Sequence, residues 1–401
     1  MHRFYPLMFA AVVSLIISGL IILLLRFLHH DWWRKKAIRY AAIFMAAGGL
    51  FSLIIWVTGI FSDLRPISFI GAILATGIFL LQLSLVISLP FSGMTLLLDK
   101  IVSYYKNKQN SRERPDLVER RKFIKSSAAV LPAIALSSQV AGIANSYKKI
   151  IVPVIKLPVA NLPDSLQGFK IAHLSDSHLG YYTTLGDLEE AVEEIKSHSP
   201  DLVLVTGDIS DDLTILADAN RIVNSIQPPL GIYASVGNHE YYRGIKIVKK
   251  VFEKSDFPLL INENAAIQKD NIVIFVGGAD DPVSLRKVST EFLRDTVEKT
   301  LDGAPSDSFK IIMSHRPRGL DYASMLNVNL VLAGHTHGTQ LGIFGRSAFE
   351  SVWPELYLWG IYRKNNTTLY TSSGMGHWMP FRLGCPAEAP ILVLEKNSET
   401  V

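Results

Sequence analysis

The sequence predicts two kinds of structure in one chain: an all-α transmembrane helical region, then an α/β domain with a layered sheet covered by helices. Three observations predict it. Charge-free apolar runs dominate the first 89 residues. After Lys149, short apolar runs alternate with segments of helical periodicity. Five of those later runs end in Asp, Asn or His beside Gly or Ser. A chain of 401 residues has room for about two or three domains.

The runs Phe4–Leu25, Tyr40–Phe61 and Ile67–Leu89 contain no charged residue. Each reaches or passes the ~20 residues that carry a helix across a bilayer, so residues 1–98 read as a three-helix transmembrane region. The loop Arg26–Arg39 holds five lysines and arginines, the loop after the second run only Arg65, and the stretch Asp99–Lys125 nine. Such residues mark cytoplasmic loops. The first and third of these segments are therefore expected in the cytoplasm, and the N-terminus outside. The net charge of +4 owes much to these flanks and does not argue for nucleic acid. The single cysteine, Cys385, excludes an intramolecular disulfide and a thiolate metal cluster.

Residues 99–148 read as a basic cytoplasmic linker leading into a weakly apolar, small-residue segment, with room for a fourth span. The stretch "ERRKFIKSSAAVLPAIALSSQVAGIAN", with Arg120 and Arg121, resembles a twin-arginine export signal. The other reading is a membrane-surface segment. If the signal is used, the domain at 149–401 lies on the extracytoplasmic side of the cell membrane.

Within that domain the apolar runs are "FKIAHLS", "DLVLVTG", "GIYASVG", "NIVIFVGG", "FKIIMSH" and "VNLVLAG". Between them, "TLGDLEEAVEEIKSHS" and "TILADANRIVNSIQ" repeat apolar residues at helical spacing. Strands that are apolar on both faces need cover on both, which helices supply. The last stretch, Leu356–Glu395, reads as consecutive strands with turns.

The run ends carry the chemistry. "HLSDSHLG" offers Asp176 and His178, two apart and so on one side of an extended segment. "LVTGDISDD" offers Asp208, "ASVGNHEYY" offers Asn238 with His239 beside it, "IIMSHRPRG" offers His315, and "LAGHTHG" offers His335 and His337. Each alone is explained as well by a turn or a capped core residue. Together they claim five of the eight histidines beyond residue 150. A core has no use for imidazoles without partners, whereas neutral imidazole is a common metal ligand. In open α/β sheets, ligands gather beyond the carboxyl ends of strands. Three carboxylate or amide oxygens and four histidines exceed what one ion needs. They suit two divalent metal ions such as manganese, iron or zinc.

In order, the motifs D-x-H, G-D, G-N-H-E, a lone H and G-H-x-H resemble the calcineurin-like metallophosphoesterase superfamily, over roughly residues 150–396. The tail "GMGHWMPFRLGCPAE" resembles its membrane-attached, twin-arginine-exported branch. The resemblance implies a four-layer α/β/β/α sandwich and a metal-dependent phosphoric ester hydrolase. It also implies that Asp176, His178 and His337 hold one metal, that Asp208 bridges both, and that Asn238, His315 and His335 complete the second site. His239 would not bind metal but would donate a proton to the leaving oxygen, with Asp211 orienting it. The implied reaction is attack on phosphorus by a hydroxide bridging the two ions. Asp212 stands where the protein-phosphatase members place a phosphate-binding arginine, which counts against a phosphoprotein substrate.

Other residues carry two readings. Arg316 and Arg243 are phosphate contacts or solvated arginines; His377 and Trp378 line the substrate pocket or pack over the site. His173 reads as a hydrogen-bonded core histidine, His198 as a cation at a helix C-terminus, and Cys385 as a small packed residue. The expected substrate is a phosphate ester, on a lipid or envelope precursor because a membrane-tethered site meets head groups at high effective concentration. "SVWPELYLWGIY", residues 351–362, is then an apolar flank for lipid or else an ordinary strand pair. Competing readings are a nucleotide phosphodiesterase and a non-catalytic metal-binding membrane module. No nucleic acid partner is expected, because the catalytic half shows no basic patch with interleaved aromatics. The sequence sets no oligomeric state.

Overall fold

The structure is a computed structural model that describes residues 5–62, 64–109, 130, 133–180, 182–282, 290–377 and 379–397. Arg120, Arg121 and Trp378 lie outside the described residues. The chain divides into two compact units, residues 1–144 with 379–381 and residues 145–378 with 382–401.

The first unit is helical: α1 (Tyr5–Leu28), α2 (His30–Trp33), α3 (Lys36–Phe61) and α4 (Arg65–Gln109). Among the described residues, three segments are long and apolar enough to cross a membrane, Ala10–Leu28, Lys36–Gly59 and Pro66–Leu98. Helix α4 continues through Pro90, past the expected end of the third apolar run at Leu89. Its 45 residues span about 68 Å at the standard helical rise, more than twice the ~30 Å hydrocarbon layer. The basic stretch from Lys100 therefore begins as helix and not as loop. Gln82 of α4 is buried, accepts from Ser14 Oγ at 3.0 Å and donates to Ser18 Oγ at 2.9 Å. A lone amide between apolar helices costs several kcal/mol, by rough estimate, so these bonds join α1 to α4.

The second unit contains strands β1 (Val154–Val159), β2 (Lys170–Leu174), β3 (Leu202–Thr206), β4 (Ile232–Ser235), β5 (Leu259–Leu260), β6 (Glu263–Lys269), β7 (Ile272–Gly278), β8 (Phe309–Met313), β9 (Leu330–Ala333), β10 (Gly342–Ile343), β11 (Arg346–Ser347), β12 (Gly360–Lys364), β13 (Thr367–Thr371) and β14 (Ile391–Lys396). One sheet runs β1-β14-β2-β3-β4-β5, a second β12-β13-β9-β8-β7-β6, and β10 and β11 form a separate hairpin. Strands β2 to β5 pair in parallel, and so do β7, β8, β9 and β13.

Side chains alternate across each strand and sort into three apolar layers. Leu157, Ile171, Leu204, Val276, Ile311, Leu332 and Leu394 fill the space between the sheets. Ala172, Val203 and Ala234 turn the other way, onto Leu188, Leu216 and Val248 of the helices Leu185–Ser197, Leu216–Asn224 and Ile245–Phe252. Ile312, Val331 and Leu369 pack on Val297 and Leu320 from helices over the second sheet. The order is helix, sheet, sheet, helix, as the fold class requires. The apolar runs named above fall on β2, β3, β4, β7, β8 and β9.

Strands β1, β5 and β6 carried no clear signal. Pro158 lies within β1, a position tolerated because β1 is an edge strand. β6 alternates exposed and half-buried residues at the far edge of the second sheet. Leu204 is fully buried between the sheets. Its replacement by alanine is expected to lower stability by about 2–5 kcal/mol, read from the denaturant midpoint.

Candidate metal centre

The residues singled out follow β2, β3, β4, β8 and β9, at the carboxyl ends of parallel strands in both sheets. Their backbone is unusual. Asp176, His178, Asp208, His335 and His337 have φ of 50°, 43°, 50°, 67° and 50°. Asp176 and His178 thus do not share one side of an extended segment, as the spacing predicts; left-handed turns aim them instead. That conformation costs a side-chain-bearing residue roughly 1–2 kcal/mol, and residues held in it cluster at functional sites. Close packing adds a second constraint. A Cβ on Gly334 would overlap Asp176 Oδ2, and one on Gly237 would overlap Asp208 Oδ1.

The loops bring the donors together in two groups. In the first, Asp176, His178 and His337 each place a donor atom within 4.8 Å of the others. The Nε2 atoms of His178 and His337 are 3.1 Å apart, and His337 Nε2 is 3.4 Å from Asp176 Oδ1. In the second, Asp208, His315 and His335 meet the same limit, with His315 Nε2 at 3.2 Å from Asp208 Oδ2. His178 Nε2 lies 3.7 Å from Asp208 Oδ2, so Asp208 stands between the groups.

The donors fit metal better than they fit one another. His315 Nδ1 lies 2.8 Å from the Thr206 carbonyl and donates to it, which turns Nε2 towards the carboxylates. That Nε2 is buried and makes no hydrogen bond. Asn238 Oδ1 is likewise buried without a partner. An unpaired buried polar atom costs about 1–3 kcal/mol, and a second-layer bond that orients a histidine is the common arrangement at metal sites. The oxygen and nitrogen set suits a divalent ion.

Around these groups lie braces. Glu240 is buried and accepts from the N–H groups of Asp208, Ile209 and Gly237 at 2.9, 2.8 and 2.7 Å. It ties the loop after β3 to the loop after β4. The His335 N–H donates to both oxygens of Asp176 at 2.9 and 3.0 Å, and the His239 N–H to Asp208 Oδ1 at 2.8 Å. His239 Nδ1 is 2.7 Å from Asp211 Oδ1, and Arg243 Nε donates to the same oxygen at 3.1 Å. His239 also lies within ligand range of His178 and Asp208.

Arg316 is not a solvated arginine. It is buried, bonds Asp281 through Nε at 2.8 Å and Nη2 at 3.2 Å, and places Nη1 3.1 Å from His335 Nε2. Arg243 is partly exposed beside Asp211. His377 is buried and stacks on Tyr182 at 5.5 Å. His173 is a core residue with Nε2 2.8 Å from Thr206 Oγ1, and burial pushes its pKa down to about 3. His198 caps the C-terminus of the helix Leu185–Ser197. Cys385 is buried, with Sγ directed at the His337 carbonyl at 3.4 Å. Residues 351–362 divide: Leu358 and Trp359 are buried, Val352 and Trp353 exposed.

Four residues that matter here received no role from the sequence: Glu240, Asp281, Arg382 and Glu388. Arg382 is fully buried and donates to the carbonyls of Ser373, Gly374, Gly376, Cys385 and Pro386. Glu388 accepts from Tyr370, Trp359 and the Ser373 N–H. Together they hold the turn in which Gly374 presses against Asp176 and His337. Their places in the G-N-H-E and P-x-R…P-x-E motifs were the available signal; Asp281 had none.

Burial and the neighbouring carboxylates set the charge of the histidines in opposite directions. Burial opposes charge on His178, but Asp211, Asp208 and Asp176 outweigh it and lift its pKa to about 9. Burial is likewise outweighed at His315, where Asp208 and Asp176 raise the pKa to about 10. Burial, with His315 and Arg316 nearby, holds His335 well below its usual range, and burial with His178 does the same to His337. In metal-free protein the raised pair contributes stability that is complete below the ordinary histidine value of 6.5 and lost as pH rises through about 9 to 10. The melting temperature of metal-stripped protein should therefore fall across that window, while metal-loaded protein stays level; parallel scans check it. Metal loading near neutral pH should also release protons, since bound imidazole must be neutral.

Comparison with known proteins agrees with the geometry. Residues 169–339 match the family model for calcineurin-like phosphoesterases. The chain is 28% identical over 295 residues to a transmembrane protein with metallophosphoesterase domain from Danio rerio, covering 71% of this chain and 66% of that one. The protein of the same name from Bos taurus is 29% identical over 293 residues, covering 69% and 64%. A metallophosphoesterase from Campylobacter jejuni is 30% identical over 263 residues, covering 64% and 66%. The chain thus spans about two thirds of the length of these relatives. With the donor groups and the layered fold, these matches show that the chain carries a calcineurin-like metallophosphoesterase domain.

Proposed function

We propose that this chain is a membrane-anchored, two-metal phosphoesterase whose catalytic domain faces the extracytoplasmic side. The observation that carries the reading is the pair of buried donor groups, Asp176/His178/His337 and Asp208/His315/His335, meeting around Asp208. Asp176, His178 and His337 would hold one ion and Asn238, His315 and His335 the other, with Asp208 shared between them. Manganese, iron and zinc all accept such ligands. Two bound divalent ions would polarise a phosphate ester and lower the pKa of bound water.

The chain's own contribution is proton transfer and orientation. Asp211 accepts from His239 Nδ1 at 2.7 Å, which fixes the ring and leaves Nε2 to serve the leaving oxygen. A histidine oriented by a carboxylate suits general-acid work. Asp211 also lies 3.6 Å from His178 Nδ1, so one carboxylate steadies both the proton donor and a metal ligand. The basic loop Arg26–Arg39 supports a cytoplasmic first loop, and the twin-arginine-like stretch supports export of the domain. A phosphate ester on a lipid or envelope precursor is the substrate class a tethered site meets most often.

Full-length protein in detergent, stripped of metal and resupplied with manganese, zinc or iron, should hydrolyse a chromogenic phosphomonoester or diester. The Asp208→Asn variant should lose that turnover and bind less metal. Turnover retained in that variant would remove the bridging role. His239→Asn should lower kcat by about 10²–10⁴-fold with metal content unchanged; a fall in metal content would make His239 a ligand instead. The ratio of the two substrates separates phosphatase from phosphodiesterase.

A further inference from the structure

The hairpin β10–β11 has a tip that nothing among the described residues explains. Its turn residues, Phe344 and Gly345, have φ of 52° and 75°. Asn, Asp or Gly normally take the first place in such a two-residue turn, because a bulky side chain is strained there. Here it is phenylalanine, with a relative exposure of 101%. Ile343 before it is 58% exposed, and Val352 and Trp353 nearby in the chain are exposed too. Phe344 thus carries backbone strain and water contact together, with no packing among the described residues to offset them.

The base of the hairpin is fixed. The Gly342 N–H donates to the Leu383 carbonyl and the Ala348 N–H to the Leu341 carbonyl, both at 2.8 Å, and Thr339 Oγ1 lies 2.9 Å from Ser347 Oγ. The tip is therefore held out in one place. From Gly338 to Phe349 the only charged side chain is Arg346, whose guanidinium lies 5.3 Å over the Tyr362 ring. Glu350 lies 3.7 Å from the same guanidinium and pairs with it, so what the hairpin presents to its surroundings is its apolar pair, Ile343 and Phe344, which suits the interfacial layer of a bilayer, where aliphatic and aromatic groups enter.

We propose that the hairpin β10–β11 inserts Ile343 and Phe344 into the interfacial layer of the bilayer that holds the N-terminal helices. A bilayer is favoured as the occupant because the same chain carries three segments able to span one, so that surface is present at high effective concentration. The proposal rests on those helices being inserted and on no assumption about substrate. The hairpin follows directly on the turn His337–Gln340. Docking would set the loop bearing His335 and His337 close to the lipid surface.

The test uses full-length protein in nanodiscs of phosphatidylethanolamine and phosphatidylglycerol, with an environment-sensitive fluorophore on Ile343→Cys. Buried Cys385 does not compete for label, and Glu298→Cys on the helix Thr290–Thr300 is the control. Brominated lipids should remove about half the emission at position 343, as for a group about 5–10 Å into the interface, and leave position 298 unchanged. Adding Phe344→Asn, which suits the turn, should abolish most of that quenching. Co-elution with nanodiscs reports the helices separately from the hairpin. Emission at 343 that matches the control in loaded nanodiscs overturns the proposal. A blue shift without lipid quenching also overturns it, because the tip would then be covered by protein, a second copy included.

Discussion

Two carboxylates taken out of water dominate the second unit. Asp176 and Asp208 are both buried at the ends of strands in one sheet, facing histidines supplied by both. Burial, with Asp208 close by, raises the pKa of Asp176. Burial works the same way on Asp208, but His315 and the other imidazoles overcome it and hold Asp208 well below the carboxylate range. Buried charge persists only where it is paired and hydrogen-bonded or meets a metal. The four imidazoles and the His335 and His239 N–H groups answer that requirement, and the loops are shaped to deliver them.

Delivering them requires backbone that helices and strands do not provide. Five left-handed residues turn the donors inward, and glycines at 237 and 334 leave space where a side chain would collide with the carboxylates. Such loops would relax if they were not tied down. Glu240 clamps three N–H groups across the two loops after β3 and β4, and Arg382 collects five carbonyls from the C-terminal tail and the turn after β13. The tail returns to form β14, which lies between β1 and β2 in the first sheet, while Glu388 reaches Tyr370 of β13 in the second. One carboxylate thus spans the two sheets whose strand ends supply the centre.

Much of this was legible because strand ends and donors coincide in the sequence. "HLSDSHLG" and "LAGHTHG" each put an apolar run directly before the donors, and the structure breaks its strands there, after Leu174 and Ala333. That Asp211 stands beside His239 was implied by the resemblance and not by any local pattern, and the structure places the two 2.7 Å apart. What stayed hidden was set by tertiary context. Asp281 comes from the segment after β7 to pair with Arg316 after β8, and no local pattern marks that meeting. β1 was concealed by its proline, Pro158, which an edge position tolerates. The left-handed conformations were invisible too, because aspartate and histidine at those places read equally well as extended backbone.

The Arg316–Asp281 pair shows how the centre limits its own charge. An arginine directly after a metal-capable histidine would, if free, repel the cations the site draws. Bidentate pairing with buried Asp281 neutralises it locally, and the planar guanidinium is suited to that geometry where lysine is not. One nitrogen, Nη1, is left over and faces His335. The pair therefore holds a donor group beside the second cluster without adding net charge to it. That balance lets this edge of the centre remain cation-attracting while Nη1 holds the His335 ring, whose centroid lies 5.1 Å from that of His315.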